Sequence, residues 1–148
     1  VTAHDPQPGT ENWSLDTSAT GDTGGSDEPQ LAATGGRLIV SLDHLSAVDA
    51  ADGTPQWATT EISQTTGVET DGEFLYCVGD TDFDDDHQNV ECAFRLDPAT
   101  GRVETTYPAP FRPEYGPADL AVGDARVFIR LYGYDGPSNR LRAIPKSV

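Results

Sequence analysis

Methionine is absent from the 148 residues, lysine occurs once, at Lys146, and only 9 Lys and Arg stand against 25 Asp and Glu. A formal net charge of -16 excludes nucleic acid and anionic membrane as partners of choice, because such a surface repels phosphate at long range. Long apolar runs are missing too. The longest, such as Leu38-Ile39-Val40, suit single buried strands, far short of the about 20 residues that span a bilayer. Also lacking are Gly-x-Ser-x-Gly, a phosphate-binding glycine loop and any zinc spacing, and His4, His44 and His87 are scattered. His44 falls in Leu42-Asp43-His44-Leu45, where a turn role is sufficient. The chain begins at Val1 without a charged-then-apolar leader, which is the expectation for a processed product, an excised domain or a fragment.

What is present begins with the kind of acid. Asp outnumbers Glu by 17 to 8, and short, strongly hydrated carboxylates keep a protein soluble where salt screens charge to a few ångströms. The composition resembles that of salt-loving archaea, so the acidity reads first as habitat and second as a surface for a basic partner or for cations. With 36% hydrophobic residues the chain still has material for a core.

Repeats decide the fold expectation. Asp5, then Gly9-Thr10-Glu11-Asn12-Trp13, returns as Asp49, then Gly53-Thr54-Pro55-Gln56-Trp57. A degenerate copy starts at Asp97 and Gly101, with Thr105 where the tryptophan would fall. Between them recurs a turn followed by an apolar strand: Gly35-Gly36-Arg37-Leu38-Ile39-Val40, Asp71-Gly72-Glu73-Phe74-Leu75-Tyr76 and Asp124-Ala125-Arg126-Val127-Phe128-Ile129. A third element follows each: Leu45 to Asp49, Cys92 to Asp97 and Leu141 to Ile144. Gly and Asp make the turns, and the β-branched and aromatic residues after them make buried strands. Four short antiparallel strands per unit describe a propeller blade.

The expected architecture is therefore all-β, a propeller segment of about three four-stranded blades, part of a larger ring or of one completed by a second chain. Residues 1–29 would be the end of a preceding blade and a polar loop, 30–60 a blade, 61–110 a blade with an acidic hairpin, and 111–148 a partial blade lacking its Gly-x-x-x-Trp strand. A partner protein or a second copy would cover the strand edges so exposed. Residues 107–117, YPAPFRPEYGP, read as an extended connector, with recognition by a protein as the alternative.

The phrases GGRLIVSLDHLSAVDAADGTPQW and DGEFLYCVGD, followed by ECAFRLDPATG, resemble the repeat of the pyrroloquinoline-quinone-type β-propellers, whose blades pair an inner DGxVYV strand with an ALDxxTGxxxW phrase. That resemblance covers about residues 30–144 and a remnant at 3–13. It implies that Trp13 and Trp57 dock between neighbouring blades. The family's dehydrogenases hold the quinone and calcium on the axis with adjacent cysteines and an aspartate base. This chain has no adjacent cysteines, so no residue of that site carries over. The same repeat occurs in an outer-membrane assembly lipoprotein that acts by binding, and a non-catalytic binding module is the expectation preferred here, with a fragment of a quinone-dependent dehydrogenase as the alternative.

One passage is chemically distinctive. Asp80, Asp82, Asp84 and Asp86 occupy positions 1, 3, 5 and 7 of a 12-residue window closed by Glu91, the spacing of a calcium loop, although Asp85 stands where that loop needs glycine. Two readings stand: a solvated hairpin tip and a Ca2+ site, with His87 a further candidate ligand. Cys77 and Cys92 flank the passage. A hairpin centred between Asp84 and Asp85 sets them face to face, and a disulfide closing that 14-residue loop would add about 3 kcal/mol and suit an extracellular address. Two reduced core thiols are the alternative, as is a cytoplasm rich in salt for the location. Asn12-Trp13-Ser14 is an N-glycosylation sequon beside the repeated tryptophan.

Overall fold

The computed structural model describes residues 2–4, 11–14, 30–41, 44–81, 90–107, 115–133 and 139–147. Among these every regular element is a strand: β1 (Thr2–His4), β2 (Glu11–Ser14), β3 (Gln30–Thr34), β4 (Arg37–Ser41), β5 (Leu45–Asp49), β6 (Pro55–Ala58), β7 (Ser63–Thr70), β8 (Leu75–Thr81), β9 (Val90–Leu96), β10 (Val103–Tyr107), β11 (Tyr115–Val122), β12 (Arg126–Gly133) and β13 (Asn139–Pro145). They form antiparallel meanders in chain order. Blade 1 is β3 to β6, blade 2 is β7 to β10, blade 3 is β11 to β13, and β1 pairs with β2 alone. The first strand of blade 2, β7, lies against β3 on one side and β11 on the other, so the first strands of the three blades are neighbours. This is the arrangement of blades around a propeller axis.

The period-2 alternation of strands sends successive side chains of blade 2 into two different cores. Leu75, Cys77, Cys92, Phe94 and Leu96 face blade 1 and pack with Ile39, Leu45 and Ala47. Tyr76, Val78, Ala93 and Tyr107 face blade 3 and pack with Leu120, Val127 and Ile129. Leu75 through Val78 are therefore almost wholly buried, at 2% exposure or less, on a strand covered from both sides. Each large apolar side chain so buried contributes about 1.5–3 kcal/mol.

Two polar contacts join blades 1 and 2. The Ser41 and Thr65 hydroxyls hydrogen-bond each other across blades 1 and 2, and the His44 ring meets the Ile62 carbonyl 3.4 Å away. No helix among the described residues is long and apolar enough to cross a membrane.

Candidate functional site

The repeated phrase builds one device, used at successive blade boundaries. In the turn after β5, the Asp49 carboxylate accepts from Ala51 N–H at 2.8 Å, and the Asp49 carbonyl from Gly53 N–H at 2.9 Å. Asp97 does the same with Ala99 at 2.8 Å and Gly101 at 2.9 Å. The N–H of Ala99 and then the Thr100 hydroxyl hold the Asp97 carboxyl below the usual carboxylate range. Gly53 and Gly101 close these turns at φ 75° and 71°, in the left-handed region.

A tryptophan from the preceding sheet lies flat on each glycine. A β-carbon on Gly53 would come within 2.8 Å of the Trp13 ring, and one on Gly101 within 2.5 Å of the Trp57 ring. The indole N–H then donates into the turn: Trp13 Nε1 to the Ala50 carbonyl at 3.2 Å, and Trp57 Nε1 to the Pro98 carbonyl at 3.0 Å. Glycine is thus required twice at each position, once for its backbone angle and once for the ring above it.

The boundary of blades 2 and 3 has no tryptophan, yet the same carbonyl is engaged. Lys146 N–H donates to the Ala125 carbonyl at 3.1 Å as Ala50 N–H donates to Gly36 at 3.0 Å, which equates Lys146 with Ala50 and, through the aspartate turn, with Pro98. The Lys146 carbonyl accepts the Tyr107 hydroxyl at 3.0 Å and an Arg95 guanidinium N–H at 3.4 Å. Arg95 also lies over the Phe74 ring, 4.6 Å from its centroid, and pairs with Glu104 at 3.6 Å.

The Lys146 side chain completes this seam through Asp71, with Nζ and Oδ2 2.7 Å apart. The same oxygen accepts the Tyr76 hydroxyl at 3.0 Å, while Oδ1 accepts from Phe74 N–H at 2.8 Å and Glu73 N–H at 3.0 Å. Loss of water raises the Asp71 pKa. Lys146, then the Phe74 and Glu73 N–H groups and the Tyr76 hydroxyl, outweigh that and hold it at about 2. Burial first, and the Asp71 hydrogen bond second, push the Tyr76 phenol upward. Tyr107, Lys146 and Asp71 were not among the candidate site residues read from the sequence. The signal that finds them is Tyr107 six residues after Gly101, at the end of the strand whose tryptophan position is Thr105.

The acidic passage sits at the open end of β8 and β9. Asp80 and Glu91 are cross-strand partners, and Thr81 pairs with Val90 at the last rung. Asp82, Asp84, Asp86 and His87 fall outside the described residues. Among the described residues no group of three His, Cys, Asp or Glu is placed to hold a metal.

The cysteine register differs from the one counted from the sequence. Cys77 stands opposite Phe94 and Cys92 opposite Gly79, so the two are diagonal neighbours on one face, not directly across, and both are thiols in the core beside blade 1. The hairpin is centred one residue later than its composition suggested, and the facing geometry that favoured a disulfide is lost. Burial pushes the Cys77 thiol pKa well up, so it is held as the unreactive neutral form.

Blades docked through a repeated turn define a segment of a β-propeller. Compared with solved structures, the chain is similar to BamB from Moraxella catarrhalis, with a TM-score of 0.58 and 14% identity over 87% of this chain. It spans about a third, 34%, of that chain's length. A computationally designed protein, Ika8, aligns with a TM-score of 0.43 and 12% identity over 93% of this chain and 50% of its own. No protein-family model and no curated protein matches the sequence.

Proposed function

We propose that the chain acts by binding: it is a non-catalytic, PQQ-like propeller module at the cell surface of a salt-loving organism, presenting rim loops to a protein partner. The observation that carries this reading is the β8–β9 hairpin. Its pairing runs without interruption from Leu75 and Leu96 to Thr81 and Val90, and it is clamped between two blades, so the aspartate-rich connection is anchored rigidly at both ends. Loops on rigid strands are where scaffold proteins keep their contacts. Trp57, Tyr107, Lys146 and Asp71 are meanwhile committed to holding blades together. Gel filtration after incubation with pyrroloquinoline quinone and calcium tests the reading. Protein emerging without quinone absorbance is expected, and stoichiometric retention overturns it in favour of the dehydrogenase alternative. Protease accessibility on intact cells tests the surface address.

A second reading concerns calcium, favoured by the pairing of Asp80 with Glu91, which brings positions 1 and 12 of the loop to neighbouring points. Millimolar calcium at constant ionic strength should then raise the melting temperature, and an unchanged melting temperature removes the site.

A further inference from the structure

Asn12-Trp13-Ser14 is the only Asn-x-Ser/Thr in the chain, and it lies on β2. The repeat supplies two further copies of that strand, β6 and β10, and all three carry a bulge at the same place. Ala3 pairs with Trp13 and His4 with Glu11, which leaves Asn12 as the extra residue. Ala47 pairs with Trp57 and Val48 with Pro55, which leaves Gln56. Arg95 pairs with Thr105 and Leu96 with Val103, which leaves Glu104. The residue before the tryptophan position is thus outside the ladder three times, as a bulged residue is.

Exposure repeats as well. Trp13, Trp57 and Thr105 are half-buried, whereas their neighbours Asn12 and Ser14, Gln56 and Ala58, and Glu104 and Thr106 are exposed. Strand alternation gives the reason. Once the Trp13 ring is turned onto Gly53, with its Nε1 donating to the Ala50 carbonyl, the side chains on either side of it are turned to solvent. In blades 1 and 2 the equivalent strands, β6 and β10, are the outermost of their sheets, so this exposed face belongs to the rim.

The three copies share a geometry and differ in chemistry. Gln56-Trp57-Ala58 has neither the asparagine nor the hydroxyl, and Glu104 forms an ion pair with Arg95. Only the first copy sets an asparagine amide and a serine hydroxyl together on the outside, with the residue between them held inward.

We propose that Asn12 is an N-linked glycosylation site and that its glycan projects from the outer rim of the propeller. In the transfer, Asn12 Nδ2 attacks C1 of a sugar carried on a lipid phosphate. The Nδ2–C1 bond forms as the bond from C1 to the phosphate oxygen breaks, the lipid phosphate leaves with the electron pair, and Nδ2 gives up one proton. Ser14 supplies the hydroxyl that marks the acceptor. A glycan here is bulky and hydrated, and it shields the edge of β2 that carries no strand among the described residues. The Trp13 contact stays intact because that ring lies on the other side of the strand. This inference rests on the cell-surface address proposed above, since such glycans are added to exported proteins.

Mass spectrometry of the tryptic peptide 1–37, from protein isolated from its own cells, tests it, Arg37 being the first tryptic site. The peptide should carry added sugar mass, localised to Asn12 by fragmentation. Asn12→Gln and Ser14→Ala should each abolish that mass, and Ser14→Thr should retain it. The first two substitutions match Gln56 and Ala58 at the same places on β6, so the strand accommodates them. Added mass that persists in Asn12→Gln or in Ser14→Ala overturns the proposal, because the modification would then sit on another side chain. An unmodified peptide also overturns it. Where protease reaches that unmodified protein on intact cells, the surface address stands and only the site is lost; where protease does not reach it, both fall.

Discussion

The boundary between blades 1 and 2 and that between blades 2 and 3 do the same job with different chemistry. At the first, an indole lies on Gly101 and donates to Pro98, backed by aliphatic side chains. At the second, a phenol and a guanidinium reach the equivalent carbonyl at Lys146, and an ion pair binds the lysine to Asp71. A repeat therefore preserves the acceptor and lets the donor vary. The first seam joins its two blades through a neutral indole donor, and the second joins them through an ion pair.

Breaking the first seam should cost most. Gly101→Ala forces a β-carbon into the Trp57 ring at a positive φ, and we expect a loss of about 3 kcal/mol in denaturant unfolding. Gly72→Ala is the control for the backbone component: φ is 91° but nothing lies within 4 Å, so about 1 kcal/mol is expected. A loss at position 101 equal to that at 72 would show that the ring is not packed there.

The second seam should respond to acid. Asp71 titrates at about 2 in the fold, below the about 3.9 of an unfolded aspartate, so its stabilisation is complete above about pH 4 and is lost as pH falls toward 2. Screened by solvent, the contribution is about 1 kcal/mol, and Asp71→Asn should remove it together with this part of the acid dependence. Trp57→Phe should lower stability by about 1 kcal/mol at every pH. An Asp71→Asn variant with an unaltered acid profile would sink the comparison.

Tyr107→Phe gives the smallest effect. It removes one hydroxyl donor from the Lys146 carbonyl, which Arg95 still serves, so about 0.5–1 kcal/mol is expected, unchanged by salt.

The sequence carried most of the fold, because the aspartate turn and its glycine are local chemistry that repeats within one chain. Trp57 and Gly101 could be named from that repetition, although their stacking joins residues 44 positions apart and only the structure shows it. The second seam was hidden because Thr105 stands at the tryptophan position and Tyr107, two residues on, serves the same carbonyl. Nothing local marks Lys146, whose partner Asp71 is 75 residues away. The cysteine register differs for another reason: a run of aspartates specifies a turn without specifying its centre, and one residue of offset converts facing positions into diagonal ones.

The double coverage of β8 has an effect on how the molecule opens. Backbone amides from Leu75 to Val78 become reachable by solvent only after a neighbour on one side has moved away. Hydrogen exchange there should be slower than at Arg130 or Leu141, and it should register a disturbance of either outer blade. Blades 1 and 3 are thereby made to sense each other through a strand that belongs to neither.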